Sequence, residues 1–221
     1  QAEVDIRKQQ CSPSFSDFSL HHRGSDLGEF RIGVPGAHNV LNATAAVAVG
    51  LELGVELRAI RTALSAFSGV DRRFQVRGRE RGITVVDDYG HHPTEIRATL
   101  AAAKLGKYRR ILVIFQPHRY TRTRDLMDEF ASSFHQADAL FILDIYAASE
   151  PPIEGVTTPA LVERIREFGH RAVEYTPGQA DALERVLEEA REGDLVLTLG
   201  AGNVWQAGEG LLERLREGRN G

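Results

Sequence analysis

The sequence predicts an α/β protein: a mainly parallel, Rossmann-like sheet with flanking helices over residues 72–221, preceded by a shorter β/α segment over residues 1–71. Three observations lead there. In the first third, apolar residues alternate with period two and then give way to Ala-rich helical spacing. After Ser68-Gly69-Val70-Asp71, which reads as a hinge, short runs of Ile, Val and Leu alternate with amphipathic stretches, the pattern of βαβ units. Four of those apolar runs lead straight into polar clusters at what would be one edge of the sheet.

Taken in order, Phe18, Leu20 and His22 share one parity. Phe30, Ile32 and Val34 repeat it beyond the turn residues Gly24, Ser25 and Asp26, which argues for paired antiparallel strands between Val4 and Val34. Pro35-Gly36 ends that run. A helix over residues 38–53 follows, with Gly54 just past its C-cap; a second, over 56–67, puts Leu57, Ile60, Leu64 and Phe67 on one stripe. Beyond the hinge, residues 74–77 and 83–86 read as strands around a charged turn. Helix 94–105, strand 111–115, helix 125–136, strand 140–145 and helix 160–168 come next, then strand 172–175, helix 179–191, strand 195–199 and helix 204–216.

Composition narrows the function classes. With 27 Lys and Arg against 31 Asp and Glu, the formal net charge of −4 makes non-specific nucleic-acid binding a poor fit. The single cysteine, Cys11, excludes an internal disulfide and an all-cysteine zinc site. The longest apolar runs, 111–115 and 139–143, fall far short of the ~20 residues that span a bilayer, and no secretory signal is visible. A cytoplasmic protein without a membrane partner is expected. Residue 1 is Gln and the opening stretch reads as a domain interior, so the chain is expected to be the C-terminal piece of a longer protein.

The polar clusters carry the chemistry. They are Asp87-Asp88-Tyr89-Gly90-His91-His92-Pro93, Gln116-Pro117-His118-Arg119-Tyr120-Thr121-Arg122, Asp144-Ile145-Tyr146 and Gly200-Ala201-Gly202-Asn203. Lys107, Arg109, Arg110, Arg119, Arg122 and Arg124 form a cationic stretch free of acidic residues. The first three are expected merely to solvate a helix–strand loop. Arg119 and Arg122, at a strand's carboxyl end, suit an anionic small molecule. Adjacent His91 and His92 seldom share one metal ion; anion contact or proton transfer fits better, with one of the two capping the helix that starts near Thr94. Asp87 and Asp88 read equally as an acid/base pair or as acceptors for loop amides.

Gly200-Ala201-Gly202 lacks the third glycine of a dinucleotide fingerprint, whose place is taken by Trp205, so a tight βα turn is the first reading. No phosphate-cradling Gly-x-x-x-x-Gly-Lys-Ser/Thr occurs, because Gly106-Lys107 is followed by Tyr108. Asn39 and Asn42, one helical turn apart beside His38, could read a base edge; capping by His38 or Asn39 is the simpler reading.

In chain order, Gly36-Ala37-His38-Asn39-Val40-Leu41-Asn42-Ala43, Arg72-Arg73-Phe74, the cluster from Asp87 through Pro93-Thr94-Glu95, the cluster from Gln116 to Arg122 and Gly200-Ala201-Gly202-Asn203 resemble the Mur ligase family, over nearly the whole chain. The resemblance implies that residues 1–71 are the C-terminal portion of a central ATP-binding domain and 72–221 a C-terminal Rossmann-like ligase domain. It implies ATP-dependent joining of L-alanine to the carboxylate of UDP-N-acetylmuramate through an acyl phosphate, in peptidoglycan precursor synthesis. ATP and Mg2+ are the implied cofactors, with the P-loop and the magnesium ligands outside this chain, which alone is expected to be inactive.

By the same resemblance, His38, Asn39 and Asn42 would contact adenine, and Arg73 the nucleotide's phosphates or ribose. Asp88 and Tyr89 would lie near the ribose and the amino-acid pocket. His91 would position alanine and accept a proton from its ammonium, and His118, Arg119 and Arg122 would hold the carboxylates of alanine and the muramoyl substrate. Ser149 departs from the glycine that relatives often carry there, and Trp205 follows the Gly-Ala-Gly-Asn turn. A family member that attaches recycled tripeptide to UDP-N-acetylmuramate shares much of the pattern, but Tyr89 and the Gln116–Arg122 run argue against it. The other alternative is a non-catalytic nucleotide-binding module.

Overall fold

The computed structural model describes residues 4–217, so the reading placed on Gln1 lies outside the described residues. The chain divides into two compact units, Gln1–Val70 with Ala101–Gly106 and Asp71–Leu100 with Lys107–Gly221.

In the first unit, β1 (Val4–Cys11), β2 (Ser16–His22) and β3 (Ser25–Ile32) form an antiparallel sheet in that order. Phe18 pairs with Phe30 and their rings stack with centroids 5.5 Å apart, so the shared parity becomes one buried face. Phe18, Leu20, Phe30 and Ile32 pack with Val40, Ala43 and Val47 of α1 (Ala37–Glu52) and Ile60 of α2 (Leu57–Ala66). Phe67 does not join Leu57, Ile60 and Leu64 on the inner stripe. It follows the last turn of α2 in extended backbone, its ring exposed and its carbonyl accepting the Gly33 amide. Neither His38 nor Asn39 caps α1, whose N-cap is Gly36 at φ 99°; Asn39 Nδ2 instead donates to the Pro35 carbonyl at 2.7 Å.

The second unit is built on six strands, β4 (Gln75–Glu80), β5 (Ile83–Asp88), β6 (Ile111–Phe115), β7 (Ala139–Ile142), β8 (Val173–Tyr175) and β9 (Leu195–Leu199). Their order is β4-β5-β9-β6-β7-β8, with β4 antiparallel and every other pairing parallel. Its helices are α3 (Pro93–Ala103, of which residues 101–103 fall in the first unit), α4 (Tyr120–Asp125), α5 (Met127–Ala131), α6 (Thr158–Glu167), α7 (Gln179–Glu189) and α8 (Trp205–Glu217). Val85, Leu112, Ile114, Phe141 and Val196 form one core with Ala182 and Val186 of α7 and Ala207 and Leu211 of α8. On alternate residues Phe115 turns the other way, against Phe130 of α5 and Phe134, at centroid distances of 5.7 and 5.1 Å. Each such fully buried side chain stabilises the fold by roughly 1.5–3 kcal/mol.

Two expected elements change shape. The helix expected over 125–136 is much shorter: helical backbone starts earlier, in α4, is broken at Leu126 (φ −120°, ψ 27°), and within the expected span only α5 follows, finished at Ala131. Phe130 and Phe134 keep a helical spacing, yet Phe134 reaches Phe115 from beyond the helix end. The strand expected over 140–145 runs only from Ala139 to Ile142, after which the Asp144 amide turns to the Pro177 carbonyl at 3.2 Å.

Candidate active site at the carboxyl edge of the sheet

Strands β5, β9, β6 and β7 are neighbours and parallel, so the four polar clusters emerge side by side. Backbone bonds stitch the exits together: Gly200 N to Asp88 O (3.2 Å), Gln116 N to Leu199 O (2.9 Å), and Tyr146 N to Pro117 O and Arg119 N to Tyr146 O (2.8 Å each).

Arg72 is the clasp on the β5 side, in left-handed backbone (φ 59°). Its Nε donates to buried Asp87 at 2.9 Å, while Nη1 and Nη2 donate to the carbonyls of Gly202 (3.1 Å) and Gly200 (2.6 Å). The other Asp87 oxygen accepts the Thr198 hydroxyl at 2.6 Å. Asp88 accepts backbone amides at both oxygens, from Phe74 (2.8 Å) and Gly90 (2.7 Å). Burial pushes the Asp88 carboxyl above its ordinary range despite those amides and the nearby Arg73 charge. Of the two readings of this pair, loop fastening is the one these hydrogen bonds support.

The loop after Asp88 presents Tyr89, His91 and His92. Tyr89 is about one third exposed (36 %), with the guanidinium carbons of Arg72 and Arg73 at 5.0 and 5.7 Å from its ring centroid. His92 caps α3, its Nδ1 accepting the Thr94 amide at 3.2 Å. His91 takes no part in that cap. Glu95 fixes the loop by accepting the amides of His91 (3.0 Å) and His92 (3.2 Å) and pairing with Arg73 at 3.4 Å. Burial would raise the Glu95 carboxyl, but the His91 amide and the His91 and Arg73 charges outweigh it and hold it below the ordinary range.

The two site histidines are set in opposite tautomers. His91 Nδ1 lies 3.0 Å from the Tyr89 carbonyl, which can only accept, so the ring proton sits on Nδ1 and the lone pair on Nε2. Arg122 Nη1 donates to His118 Nδ1 at 3.2 Å and to the His118 carbonyl at 3.2 Å, so His118 carries its proton on Nε2. Burial first, then the charges of Arg122, His91 and Arg119, push the His118 pKa down to about 4, against a smaller opposing pull from Glu150. A row of rings spans three loops: Tyr89 to His91 (5.3 Å), His91 to His118 (5.6 Å) and His118 stacked on Tyr146 (5.5 Å).

Arg119 opens α4 at φ 75° and pairs loosely with Glu150 at 3.5 Å. Gln116 donates to Asn203 at 3.2 Å. A Cβ on Gly200 (φ 145°) would stand 2.8 Å from the Gln116 carbonyl, and one on Gly202 would stand 2.9 Å from the Tyr146 ring. These glycines therefore allow a tight turn beneath Gln116 and Tyr146, in line with the βα-turn reading.

Elsewhere, Asn42 is exposed on α1, three residues beyond the partly buried Asn39. Arg109 and Arg110 do more than solvate a loop, since they grip fully buried Asp194 at 3.0 and 2.8 Å. Among the described residues no group of three or more His, Cys, Asp or Glu could hold a metal ion, and no helix is long and apolar enough to cross a membrane. The sequence alone assigned no individual role to Glu95, Gln116 or Asn203, although each lies in one of the motifs, and did not single out Glu150. Only Glu95 left a local signal, three residues past His92 at a helix start, the spacing of a capping box.

Residues 72–202 match the family model described as "Mur ligase, glutamate ligase domain". The chain is 64 % identical over 216 residues to the UDP-N-acetylmuramate–L-alanine ligase of Solibacter usitatus, covering 98 % of this chain and 46 % of that protein. It is 61 % identical over 198 residues to the same-named protein of Koribacter versatilis, covering 90 % and 42 %. The chain thus spans less than half the length of these curated relatives. Its fold matches the crystal structure of a UDP-N-acetylmuramate–alanine ligase from Thermotoga maritima with a TM-score of 0.82 at 27 % identity, over 99 % of this chain and 47 % of that one.

Proposed function

The chain belongs to the Mur ligase family, and from that premise we propose that it is the C-terminal part of an ATP-dependent ligase joining L-alanine to the carboxylate of UDP-N-acetylmuramate. In this reading residues 1–71 complete an ATP-binding domain and residues 72–221 form the ligase domain. The observation that carries it is the meeting of His91, His118, Arg119 and Arg122 at one sheet edge, in a chain so similar to ligases of that name.

Bound ATP supplies the phosphoryl group that activates the carboxylate. This chain's residues hold and deprotonate. Arg119 and Arg122 offer planar forks for carboxylates, and both Arg122 contacts with His118 come from Nη1 alone. His118, neutral above about pH 4, donates from Nε2 without adding a charge. Alanine arrives as an ammonium and attacks only as a free amine; His91 Nε2 is the acceptor for that proton, with Tyr89 O fixing its tautomer. Tyr89, with Arg72 and Arg73 against its ring, would serve as a platform beside the amino-acid pocket with Asp88, and Arg73 would contact the nucleotide's phosphates or ribose. Asn42, with Asn39 and His38, is the amide-bearing face suited to adenine. The donor sets among the described residues do not fit magnesium, which would be held by chain outside these residues.

The test is phosphate release from ATP by the complete protein with UDP-N-acetylmuramate, comparing L-alanine with the L-Ala-γ-D-Glu-diaminopimelate tripeptide. Release with alanine is expected. Release with tripeptide alone would make the protein a recycling ligase, and release with neither would overturn the assignment.

A further inference from the structure

We infer that Glu150 is a positioning residue that sets the start of α4 and, through it, the Arg119 guanidinium. Glu150 reaches the site from the loop after β7, and its side chain is largely buried (18 % exposed). Oε2 accepts the Thr121 amide at 3.0 Å, Oε1 accepts the Thr121 hydroxyl at 2.7 Å, and Oε1 lies 3.5 Å from Arg119 Nη1. The Thr121 amide and hydroxyl, with help from the Arg119 charge, hold the carboxyl below its ordinary range despite partial burial, so the group stays ionised at neutral pH.

The backbone around it is arranged for this contact. Glu150 N donates to Ala147 O at 3.0 Å, closing a four-residue turn whose central residues, Ala148 (φ 49°) and Ser149 (φ 69°), are both left-handed. Two positive φ values in succession belong to a type I′ turn, which selects Gly, Asn or Asp and is costly for Ala and Ser. That turn reverses the chain just after Tyr146, whose carbonyl already holds the Arg119 amide at 2.8 Å. Arg119 is itself left-handed at φ 75°. One loop therefore grips α4 at three points: Tyr146 on the Arg119 backbone, Glu150 on Thr121, and Glu150 on the Arg119 side chain. A carboxylate that touched only solvent-facing groups would not call for a turn this unfavourable.

This inference rests on the proposed role of Arg119 in holding a substrate carboxylate, and a double-mutant cycle in the complete protein separates the two. Glu150→Gln keeps size and an acceptor for Thr121 while removing the charge that faces Arg119. It is expected to raise the KM for the substrate whose KM rises in Arg119→Ala by about three- to tenfold, with kcat within about twofold. The double variant should be no worse than Arg119→Ala alone, and Glu150→Asp should recover part of the loss. If Arg119→Ala leaves all constants unchanged, the carboxylate reading of Arg119 falls and this inference with it. Should Arg119→Ala be impaired while Glu150→Gln is silent, or while the two losses multiply, the Arg119 reading stands and the positioning role is overturned. A Glu150→Gln variant with an equal fall in kcat and in melting temperature would likewise reduce Glu150 to a structural support.

Discussion

His118 shows how much a single residue type leaves open and how much its neighbours decide. Its ordinary pKa of 6.5 would let it switch near neutral pH, yet burial and the charges of Arg122, His91 and Arg119 bring it down to about 4. The unfolded chain therefore binds this proton first as pH falls. Stability from His118 is complete above about pH 6.5, declines between about 6.5 and 4, and levels off below. Denaturant titrations across that range should show His118→Gln losing this portion of the acid slope; an unchanged slope would show that His118 is not held neutral by the fold. Residue types at strand ends were legible in the sequence, since His91, His118, Arg119 and Arg122 do meet. Their division of labour was not. Which of two adjacent histidines caps a helix depends on loop geometry at Gly90 and on Glu95, and only the folded loop reveals that His92 takes the cap.

Among elements, the clasp between β5 and β9 is the clearest structural dependence of the site. Arg72 joins the Asp87 carboxylate to the Gly200 and Gly202 carbonyls, and Thr198 holds Asp87 from the neighbouring strand. Arg72→Ala leaves a buried carboxylate with only a hydroxyl partner, which should cost about 3 kcal/mol in chemical denaturation. Adding Asp87→Asn should return a substantial part of that loss, because the uncompensated charge is gone. Full additivity of the two losses would show that the pair does not act as a unit. The alternating βα rhythm made the elements readable from sequence wherever a core face repeats, as at Ile111–Phe115 and Leu195–Leu199. It failed where tertiary contacts override spacing. The Phe130 and Phe134 pair has helical periodicity, yet Leu126 breaks the helix, and α4 begins at Tyr120 because Tyr146 and Glu150 hold its first turn. No local pattern around residues 120–136 encodes a partner loop some thirty residues away.

At the scale of the whole molecule, the chemistry of the proposed reaction divides between what this chain carries and what it does not. A ligation that consumes ATP needs a phosphate cradle, a divalent cation site, a carboxylate clamp and an acceptor for the amine's proton. In the proposed reading Arg119 and Arg122 would supply the clamp and His91 the proton acceptor, all on loops of one sheet edge. The sequence holds no P-loop pattern, and no cluster of metal-ligating side chains occurs among the described residues. The chain spans only 46 % and 42 % of the length of the two similar ligases from Solibacter usitatus and Koribacter versatilis. The 221-residue chain alone is therefore expected to release no phosphate from ATP above background, with UDP-N-acetylmuramate and L-alanine present and magnesium in excess. The same preparation should melt cooperatively by circular dichroism, since both units carry their own buried cores. That combination, folded and inactive, would assign the missing activity to missing parts rather than to misfolding. Turnover at the rate of a complete ligase would mean instead that these loops, without any P-loop, bind and cleave the nucleotide themselves, and the division of roles drawn here would have to be abandoned.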